Sequence, residues 1–377
     1  MAKCTYCGNE DNDISSCLEI CRECILNTDW KKVKPHLEEI HSAIRQREDL
    51  PPHPPHATKA QTEYSCNLCI NSCVLSQNDT SYCGLRNYKK NKQAKLPNPS
   101  KKRAYMHGYL DSNPTNCCNS WFCPAGSSDG YPKYSAYDGP EYGTYSYAAF
   151  LYGCTFNCLF CQNASHKHFS KPRLVGAEDI AEQISQNEKI TCLCYFGGTP
   201  EPQLPFTIHL AKLILEKIEK IDKERKFRVC WEWNGSGRQD LVEECMEIAL
   251  KTGGNIKFDL KSWYEQLNIA LCGISNQRTL DNFEYLARNN FGSRENLPEL
   301  SGCTLLVPGY VTSEDIEKIA QFIANINPEI PYSLLVFHPD YMMNDLPFTS
   351  KEQAYECLEV AEKYLKHVHL GNQFLLK

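Results

Sequence analysis

From residue 147 onward, short apolar runs alternate with longer stretches in which apolar residues recur every three or four positions. The short runs predict β-strands at 147–153, 191–197, 226–234, 255–261, 304–308 and 332–338. The longer stretches predict helices, including 205–221, 240–251, 313–326 and 351–366. Alternating strands and helices indicate an α/β fold with a parallel sheet and right-handed crossovers, and six units suit a partial (β/α)6 barrel. Ligands of such a barrel bind at the carboxyl ends of its strands.

The residues before this barrel lack the alternation, and the chain divides into three parts. Residues 1–50 are predicted to form a cysteine-rich metal-binding module plus a helix that starts near Asp29, with Leu37, Ile40 and Ile44 along one face. Residues 51–146 hold a stiff Pro-rich linker, a second cysteine set and a Tyr/Gly-rich segment without helix or strand period. That segment is predicted to be an ordered lid over the site or a loop packed on the barrel flank. Residues 147–377 form the barrel.

Cysteine usage changes the picture most, since 22 of the 377 residues are cysteine. The amino terminus has no apolar signal core, and no run reaches the roughly 18 apolar residues that a membrane span needs. We therefore expect a cytoplasmic protein without a membrane partner, in a reducing compartment where clustered cysteines bind metal more often than they pair. The net charge of −6 gives no strong nucleic-acid signal.

The first cysteine set lies in the amino-terminal module. Two Cys-x2-Cys pairs make a good tetrahedral site for zinc or rubredoxin-like iron, and their members are Cys4, Cys7, Cys21 and Cys24. The segment is too short to bury a core alone, so bound metal would supply part of its folding energy.

A second set of four lies on short loops and again fits one closed site, formed by Cys66, Cys69, Cys73 and Cys83. Its spacing does not separate zinc, a single iron and a second cluster. Three further cysteines, Cys117, Cys118 and Cys123, fall in the Tyr/Gly-rich segment, and the sequence gives them no role.

The third set follows the first predicted strand with the spacing CxxxCxxC, at Cys154, Cys158 and Cys161. Three thiolates can hold three corners of a [4Fe–4S] cluster, and no fourth cysteine follows in register, so one iron would stay open to a small molecule. The alternative is a structural zinc knuckle, but zinc usually takes four ligands.

Each later strand also ends in a chemically suggestive motif. In chain order these are Phe196-Gly197-Gly198-Thr199-Pro200-Glu201-Pro202-Gln203, Trp231-Glu232-Trp233-Asn234-Gly235, Lys257-Phe258-Asp259-Leu260-Lys261, Val307-Pro308-Gly309-Tyr310 and Phe337-His338-Pro339-Asp340-Tyr341. Each motif alone is weak evidence for a ligand site; paired glycines, for example, are commonest in plain turns. All of them in order, at strand ends behind the three cysteines, strongly favour one ligand site.

These residues resemble the radical S-adenosylmethionine (radical SAM) superfamily, specifically its pyruvate formate-lyase-activating enzyme-like group and the AmmeMemoRadiSam-type branch. That branch has Cys-Gly-x-Arg, as at 83–86, Cys-Gln-Asn, as at 161–163, His-Pro-Asp-Tyr, as at 338–341, and Leu-Gly-Asn, as at 370–372. It has Gly-Gly-Asp-Pro-x-Pro-Gln after the second strand, where this chain places Thr199 instead of Asp. The resemblance covers about residues 64–86 and 147–372.

The resemblance implies that the three cysteines hold the cluster and that its open iron binds the amino and carboxylate groups of SAM. It also implies that further SAM contacts come from Gly197, Gly198, Asn234, Asp259, Lys261 and His338. Without the resemblance, His338 would be a core histidine, and Asp259 and Lys261 a strand-end ion pair.

The implied activity is that of a radical SAM enzyme, of the oxidoreductase or activating-enzyme kind. The reduced cluster cleaves SAM to a 5′-deoxyadenosyl radical, which abstracts hydrogen from a residue of a protein or peptide substrate. A flavodoxin or ferredoxin would be the reducing partner.

Two alternatives stay open. One is a cobalamin-dependent radical SAM C-methyltransferase acting on a protein, with cobalamin as an extra cofactor; the chain has no DxHxxG motif, so its cobalamin site would be non-standard. The other is a non-catalytic iron–sulfur electron-transfer or scaffold protein, which explains the cysteines and leaves the strand-end motifs unexplained.

Overall fold

The computed structural model describes residues 1–62, 64–87, 97–115, 117–167 and 172–376. The strands are β1 (Ala2–Lys3), β2 (Glu10–Asp11), β3 (Tyr64–Ser65), β4 (Val74–Leu75), β5 (Arg103–Ser112), β6 (Tyr145–Leu151), β7 (Leu174–Gly176), β8 (Ile190–Phe196), β9 (Arg228–Trp233), β10 (Ile256–Asp259), β11 (Leu300–Leu306), β12 (Tyr332–Val336) and β13 (Val368–Gly371). The α-helices are α1 (Arg22–Asn27), α2 (Trp30–Arg47), α3 (Ala177–Ser185), α4 (Leu204–Ile221), α5 (Gln239–Thr252), α6 (Glu265–Cys272), α7 (Gln277–Asn290), α8 (Ser313–Ile326) and α9 (Lys351–Glu362). Short 3₁₀ turns lie at Lys59–Gln61, Ala164–Lys167, Glu201–Gln203, Tyr341–Met343 and Gln373–Leu375.

One large sheet organises the fold, with the strand order β13-β12-β11-β10-β9-β8-β6-β5-β7. The run from β6 through β8 to β13 is parallel throughout. Strand β5 pairs antiparallel with β6, and β7 pairs antiparallel with β5. The helices that follow the strands place the apolar side chains of α4, α5, α8 and α9 in the core. The α/β fold and the partial barrel are therefore confirmed.

The six predicted barrel strands correspond to β6 and β8 to β12, and the four predicted helices correspond to α4, α5, α8 and α9. Helix α9 ends at Glu362, four residues before the predicted end. The seventh parallel strand, β13, has only four residues and a mixed pattern of burial, so it gives no apolar run.

The structure differs from the prediction for the Tyr/Gly-rich segment in its first part and in its last part. Its first part is the ten-residue strand β5, most of whose second half faces solvent, so its sequence has no strand period. The later residues, Tyr131 to Tyr145, cover the amino-terminal end of the barrel. Arg228, the first residue of β9, donates to the Tyr134 carbonyl at 2.9 Å and forms a buried ion pair with Glu141. Residues 131–145 therefore lie at the end of the barrel opposite the three cysteines, whereas Cys117 and Cys118 of the same segment line a cavity inside the barrel.

The amino-terminal module docks directly on the barrel. Helix α2 begins after Asp29, whose side chain accepts a hydrogen bond from the Lys31 amide at 3.1 Å, as the sequence predicts. In α1, the largely buried Arg22 donates to Asp315 of α8 at 3.0 Å. The apolar residues of the module join the same core as those of the barrel. None of the helices in the described ranges is long and apolar enough to cross a membrane.

Candidate active site

The CxxxCxxC loop leaves β6 at the carboxyl end of the parallel sheet and is pinned by its backbone. The Asn157 amide donates to the Cys272 carbonyl at 2.8 Å, and the Leu159 amide donates to the Leu271 carbonyl at 2.9 Å. Between the cysteines, Phe156 and Leu159 are fully buried and anchor the loop in the core. Hydrophobic anchors and ladder-like bonds to α6 thus fix the loop and leave its three thiols on the cavity side.

The three thiols line a cavity of about 220 Å³ together with most of the other residues that the sequence singles out. Of the nine, eight line this cavity: Cys154, Cys158, Cys161, Gly197, Gly198, Asn234, Asp259 and Lys261. His338 follows β12, is half-buried, and contacts the Pro339 carbonyl through Nδ1 at 3.3 Å. It is not among the residues that line the cavity, so its contact with SAM stays a prediction.

The paired glycines are required by space as well as by backbone conformation. Gly198 has a φ of +55°, and a Cβ there would stand 2.4 Å from the Leu151 carbonyl oxygen. A Cβ on Gly197, where φ is +69°, would stand 2.2 Å from the Phe150 ring. Any side chain at these positions would be strained and would push the turn away from β6. Thr199, which replaces the Asp of similar sequences, donates its hydroxyl to the buried Glu201.

Four side chains of alternating charge run across the cavity floor. Lys261 contacts Asp259 at 2.8 Å, and Asp259 contacts Lys257 at 2.9 Å. Lys257 in turn contacts Glu232 of β9 at 2.9 Å. Burial would raise the pKa of Asp259, but the two lysines lower that pKa to about 2. The expected ion pair and the cavity-lining position are thus both present at Asp259.

Lys257, Asp259 and Lys261 occupy alternate positions, so they share one face of β10 and of its extension. A strand of a closed α/β core that carries three charges on one face is a signal of a polar ligand in the barrel. The spacing of Lys257 in the sequence carries this signal, whereas Glu232 of β9 joins the site only through its contact with Lys257.

A buried hydrogen-bond chain links the loop to the amino-terminal module. Asn157 donates through Nδ2 to His41 Nδ1 at 2.9 Å, and its Oδ1 accepts from Lys167 Nζ at 2.9 Å. His41, on α2, donates from Nε2 to the Ala270 carbonyl at 3.0 Å. Burial lowers the pKa of His41 to about 4, so the ring is neutral at pH 7. Sequence reasoning missed this link because the spacing of α2 gives His41 only a place on its buried face.

The three thiols differ in their acidity. A hydrogen bond donated by the Cys272 thiol is the largest cause that lowers the pKa of Cys158, to about 7, and Lys261 and Lys167 lower it further. Burial raises the pKa of Cys154 and of Cys161. Thiolates are the form that binds metal, so a bound cation would offset the cost of burying these charges.

The residues present fit a [4Fe–4S] cluster with SAM in this cavity. One buried donor of a residue that lines the cavity, Gln162 Nε2, has no hydrogen-bond partner among the described residues. A buried donor without a partner is costly, and a polar ligand in the cavity would satisfy it. The glycine turn brings the backbone of Gly197 and Gly198 to the cavity wall, where a ligand can approach it closely.

A second and larger cavity, of about 410 Å³, adjoins the first and shares Phe196, Glu232, Lys257 and Leu335 with it. Its walls include Tyr109 of β5 on one side and His369 of β13 on the other. Strands β5 and β13 lie towards opposite ends of the large sheet, so this cavity occupies the open side of the partial barrel.

The four sulfurs of Cys4, Cys7, Cys21 and Cys24 come together in the amino-terminal module, all within 4.8 Å of one another. The Sγ atoms of Cys7 and Cys21 lie 3.8 Å apart, close to the separation of two thiolates on one tetrahedral ion. Amides of Cys21, Cys7 and Tyr6 lower the pKa of Cys4 to about 6 against the effect of burial. This group can hold a metal ion, and its choice between zinc and iron stays a prediction.

The second four-cysteine set is buried and lies beside the CxxxCxxC loop; its members are Cys66, Cys69, Cys73 and Cys83. Asn71, between two of them, donates to the Thr155 carbonyl at 2.8 Å, so the two loops are in direct contact. Burial and the neighbouring thiols raise the pKa of Cys73 to about 12. Whether these four hold zinc, a single iron or a second cluster stays a prediction.

Comparison with known proteins agrees with this geometry. Residues 149–323 match the sequence profile of the Radical SAM superfamily. The putative glycyl-radical enzyme activating enzyme MJ1632 of Methanocaldococcus jannaschii is 27% identical over 229 residues, which cover 59% of this chain and 79% of the relative. The pyruvate formate-lyase 1-activating enzyme of Escherichia coli K12 is 23% identical over 195 residues, which cover 51% of this chain and 74% of the relative.

Two solved structures are also similar. A domain of pyruvate-formate lyase-activating enzyme from Bacteroides vulgatus has a TM-score of 0.35 and 20% identity, covering 48% of this chain and 98% of that domain. Streptococcus suis SuiB bound to its precursor peptide SuiA has a TM-score of 0.44 and 15% identity, covering 60% of this chain and 48% of SuiB. Residues 149–323 are thus similar to the Radical SAM superfamily, and the sequence relatives are similar to this chain as activating enzymes of glycyl-radical enzymes and of pyruvate formate-lyase.

Proposed function

We propose that this protein is a radical SAM enzyme that abstracts hydrogen from a residue of a protein or peptide. The observation that carries the proposal is the convergence of Cys154, Cys158 and Cys161 with the glycine turn on one cavity that adjoins a larger one. A [4Fe–4S] cluster and SAM, when bound there and reduced by one electron, supply a 5′-deoxyadenosyl radical. The chain itself binds and orients SAM and the substrate, and it excludes water from them.

The residues of the smaller cavity would bind SAM. The backbone at Gly197 and Gly198 is free to approach a ligand, and Asn234 is held by Thr155 at 2.8 Å so that its amide faces the thiols. The fixed charges of Lys261 and Asp259 would pair with the carboxylate and the amino group of SAM. The unpartnered Gln162 donor would bind a further acceptor of the same ligand.

The larger cavity would receive the residue to be modified. It lies on the open side of the barrel and shares four side chains with the SAM cavity, so a carbon placed there would be near the radical. The named activities of the relatives, activation of a glycyl-radical enzyme and of pyruvate formate-lyase, support a protein as substrate. A flavodoxin or a ferredoxin would be the source of the electron.

The test is anaerobic incubation of the reconstituted, reduced protein with SAM, followed by chromatography for 5′-deoxyadenosine. We expect cleavage by the wild type and none by the Cys154→Ala/Cys158→Ala/Cys161→Ala variant. The matched control is Cys245→Ala/Cys357→Ala, which removes buried core thiols of α5 and α9.

Equal cleavage by the triple variant would contradict the cluster assignment. No cleavage by an iron-loaded wild type would favour an electron carrier. S-adenosylhomocysteine together with a substrate that gains a methyl group would favour the cobalamin-dependent alternative.

A further inference from the structure

A cluster of sulfur and oxygen atoms lies in the barrel interior, apart from the three cysteine sets already described. Cys117 and Cys118 follow β5 and bring their sulfurs towards Glu232 of β9, and these ligand atoms all lie within 4.8 Å of one another. The Cys117 thiol donates to Glu232 Oε1 at 3.2 Å. The Cys194 thiol of β8 donates to the same oxygen at 3.1 Å.

The spacing of these atoms suits a single ion rather than a cluster. With Zn–S bonds of about 2.3 Å and Zn–O bonds of about 2.1 Å, a sulfur and an oxygen on one tetrahedral zinc stand roughly 3.5 Å apart. The 3.2 Å between Cys117 Sγ and Glu232 Oε1 is close to that separation. Two thiolates with one carboxylate are also ligands that zinc accepts.

The charges around Cys117, Cys118 and Glu232 also favour a bound cation. Lys257 binds the other oxygen of Glu232, Oε2, at 2.9 Å, which leaves Oε1 turned towards the thiols. Two thiolates and a carboxylate carry three negative charges, of which Lys257 neutralises one. A divalent cation would neutralise the other two, and in the partly desolvated barrel interior such neutralisation is strongly favourable.

We propose that Cys117, Cys118 and Glu232 bind a zinc ion in the barrel interior. All three residues line the larger cavity, so the fourth position of a tetrahedral ion would face that cavity. Sites with three protein ligands and one open position are the kind in which zinc binds a reacting molecule. The role of the ion rests on the proposed function: a donor atom of the substrate, such as a carboxylate oxygen or a thiolate, would take the open position.

The experiment measures metal per chain and requires no turnover. The zinc site can therefore be refuted while the proposed function holds, and the proposed function can be refuted while the zinc site holds. The anaerobically reconstituted protein is supplied with zinc, freed of loosely bound metal on a desalting column, and analysed for zinc and iron by mass spectrometry. The variant is Cys117→Ser/Cys118→Ser, and the matched control is Cys123→Ser, from the same segment but outside the converging group.

We expect the wild type and Cys123→Ser to hold one more zinc per chain than the double variant, with equal iron in all three. The amino-terminal set is present in every protein and therefore cancels from the comparison. Equal zinc in the wild type and the double variant would overturn the proposal, and so would an equal loss in Cys123→Ser.

A folding defect is separated by the iron content and by a second measurement. Cobalt(II) added to the wild type after zinc removal should give thiolate-to-cobalt charge-transfer absorption that is larger than in the Cys118→Ser single variant. If the two proteins have matching iron and the same cobalt spectrum, the thiol of Cys118 is not a ligand and the proposal is wrong.

Discussion

Protonation of His41 should weaken the folded protein as the pH falls from about 6.5 towards 4. The neutral ring donates from Nε2 to the Ala270 carbonyl and accepts at Nδ1 from Asn157, so both nitrogens are satisfied. A proton added at Nδ1 would face the Asn157 amide, whose own oxygen is held by Lys167. The site therefore has no acceptor for a second proton, and it is buried away from water.

The size of the effect follows from the two pKa values. In the unfolded chain an imidazole has a pKa of about 6.5, and burial lowers the pKa of folded His41 to about 4. Between these values the unfolded state binds more protons, so stability rises with pH and is lost as pH falls. Linkage gives a loss of about 2 kcal/mol at pH 5 and about 3 kcal/mol at pH 4, relative to pH 7.5.

The assay compares the urea unfolding of the wild type and of His41→Gln, followed by tryptophan fluorescence under anaerobic conditions from pH 7.5 to pH 5. Glutamine keeps a donor for Ala270 and has no proton to gain, but it leaves Asn157 without its acceptor. We expect the variant to be less stable at pH 7.5 by about 1–2 kcal/mol. Loss of metal from cysteine sites at low pH affects both proteins alike, so it does not enter their difference.

On acidification the two stabilities should converge, with the difference between them shrinking by about 2 kcal/mol at pH 5. A difference that stays constant from pH 7.5 to pH 5 would refute the reasoning, because His41 would then titrate equally in the folded and the unfolded state.

Three further predictions concern the glycine turn, the amino-terminal metal and the buried ion pair of Arg228 with Glu141 at the amino-terminal end of the barrel. Gly198→Ala should weaken SAM binding at least about tenfold in equilibrium dialysis, since its Cβ meets backbone carbonyls, whereas Gly292→Ala, with open space around it, should bind SAM normally. Cys7→Ser/Cys24→Ser should open the first thirty or so residues to limited proteolysis while the absorbance of the [4Fe–4S] cluster is kept; unchanged proteolysis would contradict a structural metal there. Arg228→Met should cost about 3–5 kcal/mol in urea unfolding because it leaves its carboxylate partner buried and unpaired, and a loss below about 1 kcal/mol would contradict a buried pair.

The barrel was predictable from the sequence because its signals are local. Each parallel strand is an apolar run followed by a motif, so the positions of β6 and β8 to β12, and the cavity residues behind them, can be read without knowing the fold. The sequence does not predict strand β5 because much of the strand faces solvent and its buried and exposed residues do not alternate. A pattern of burial can only predict a strand that is buried on at least one face.

The contacts that sequence reasoning missed are those between distant segments. No local sequence pattern indicates that His41 contacts Asn157, 116 residues away, or that Cys117 contacts Glu232, 115 residues away. The aromatic composition of the segment that ends at Tyr145 predicts an ordered loop, but it would be the same at either end of the barrel. Which end it covers is decided by the buried pair of Glu141 with Arg228.

The row of alternating charges formed by Lys261, Asp259, Lys257 and Glu232 couples ligand binding in the two cavities. Lys261 and Asp259 face the smaller cavity alone, whereas Lys257 and Glu232 border both. A ligand that neutralises one end of the row changes the field at the other end, in an interior where water screens little. Occupancy of each cavity is thereby coupled to that of the other, and because binding free energies are linked, the factor by which a molecule in one cavity changes affinity in the second must equal the factor in the opposite direction.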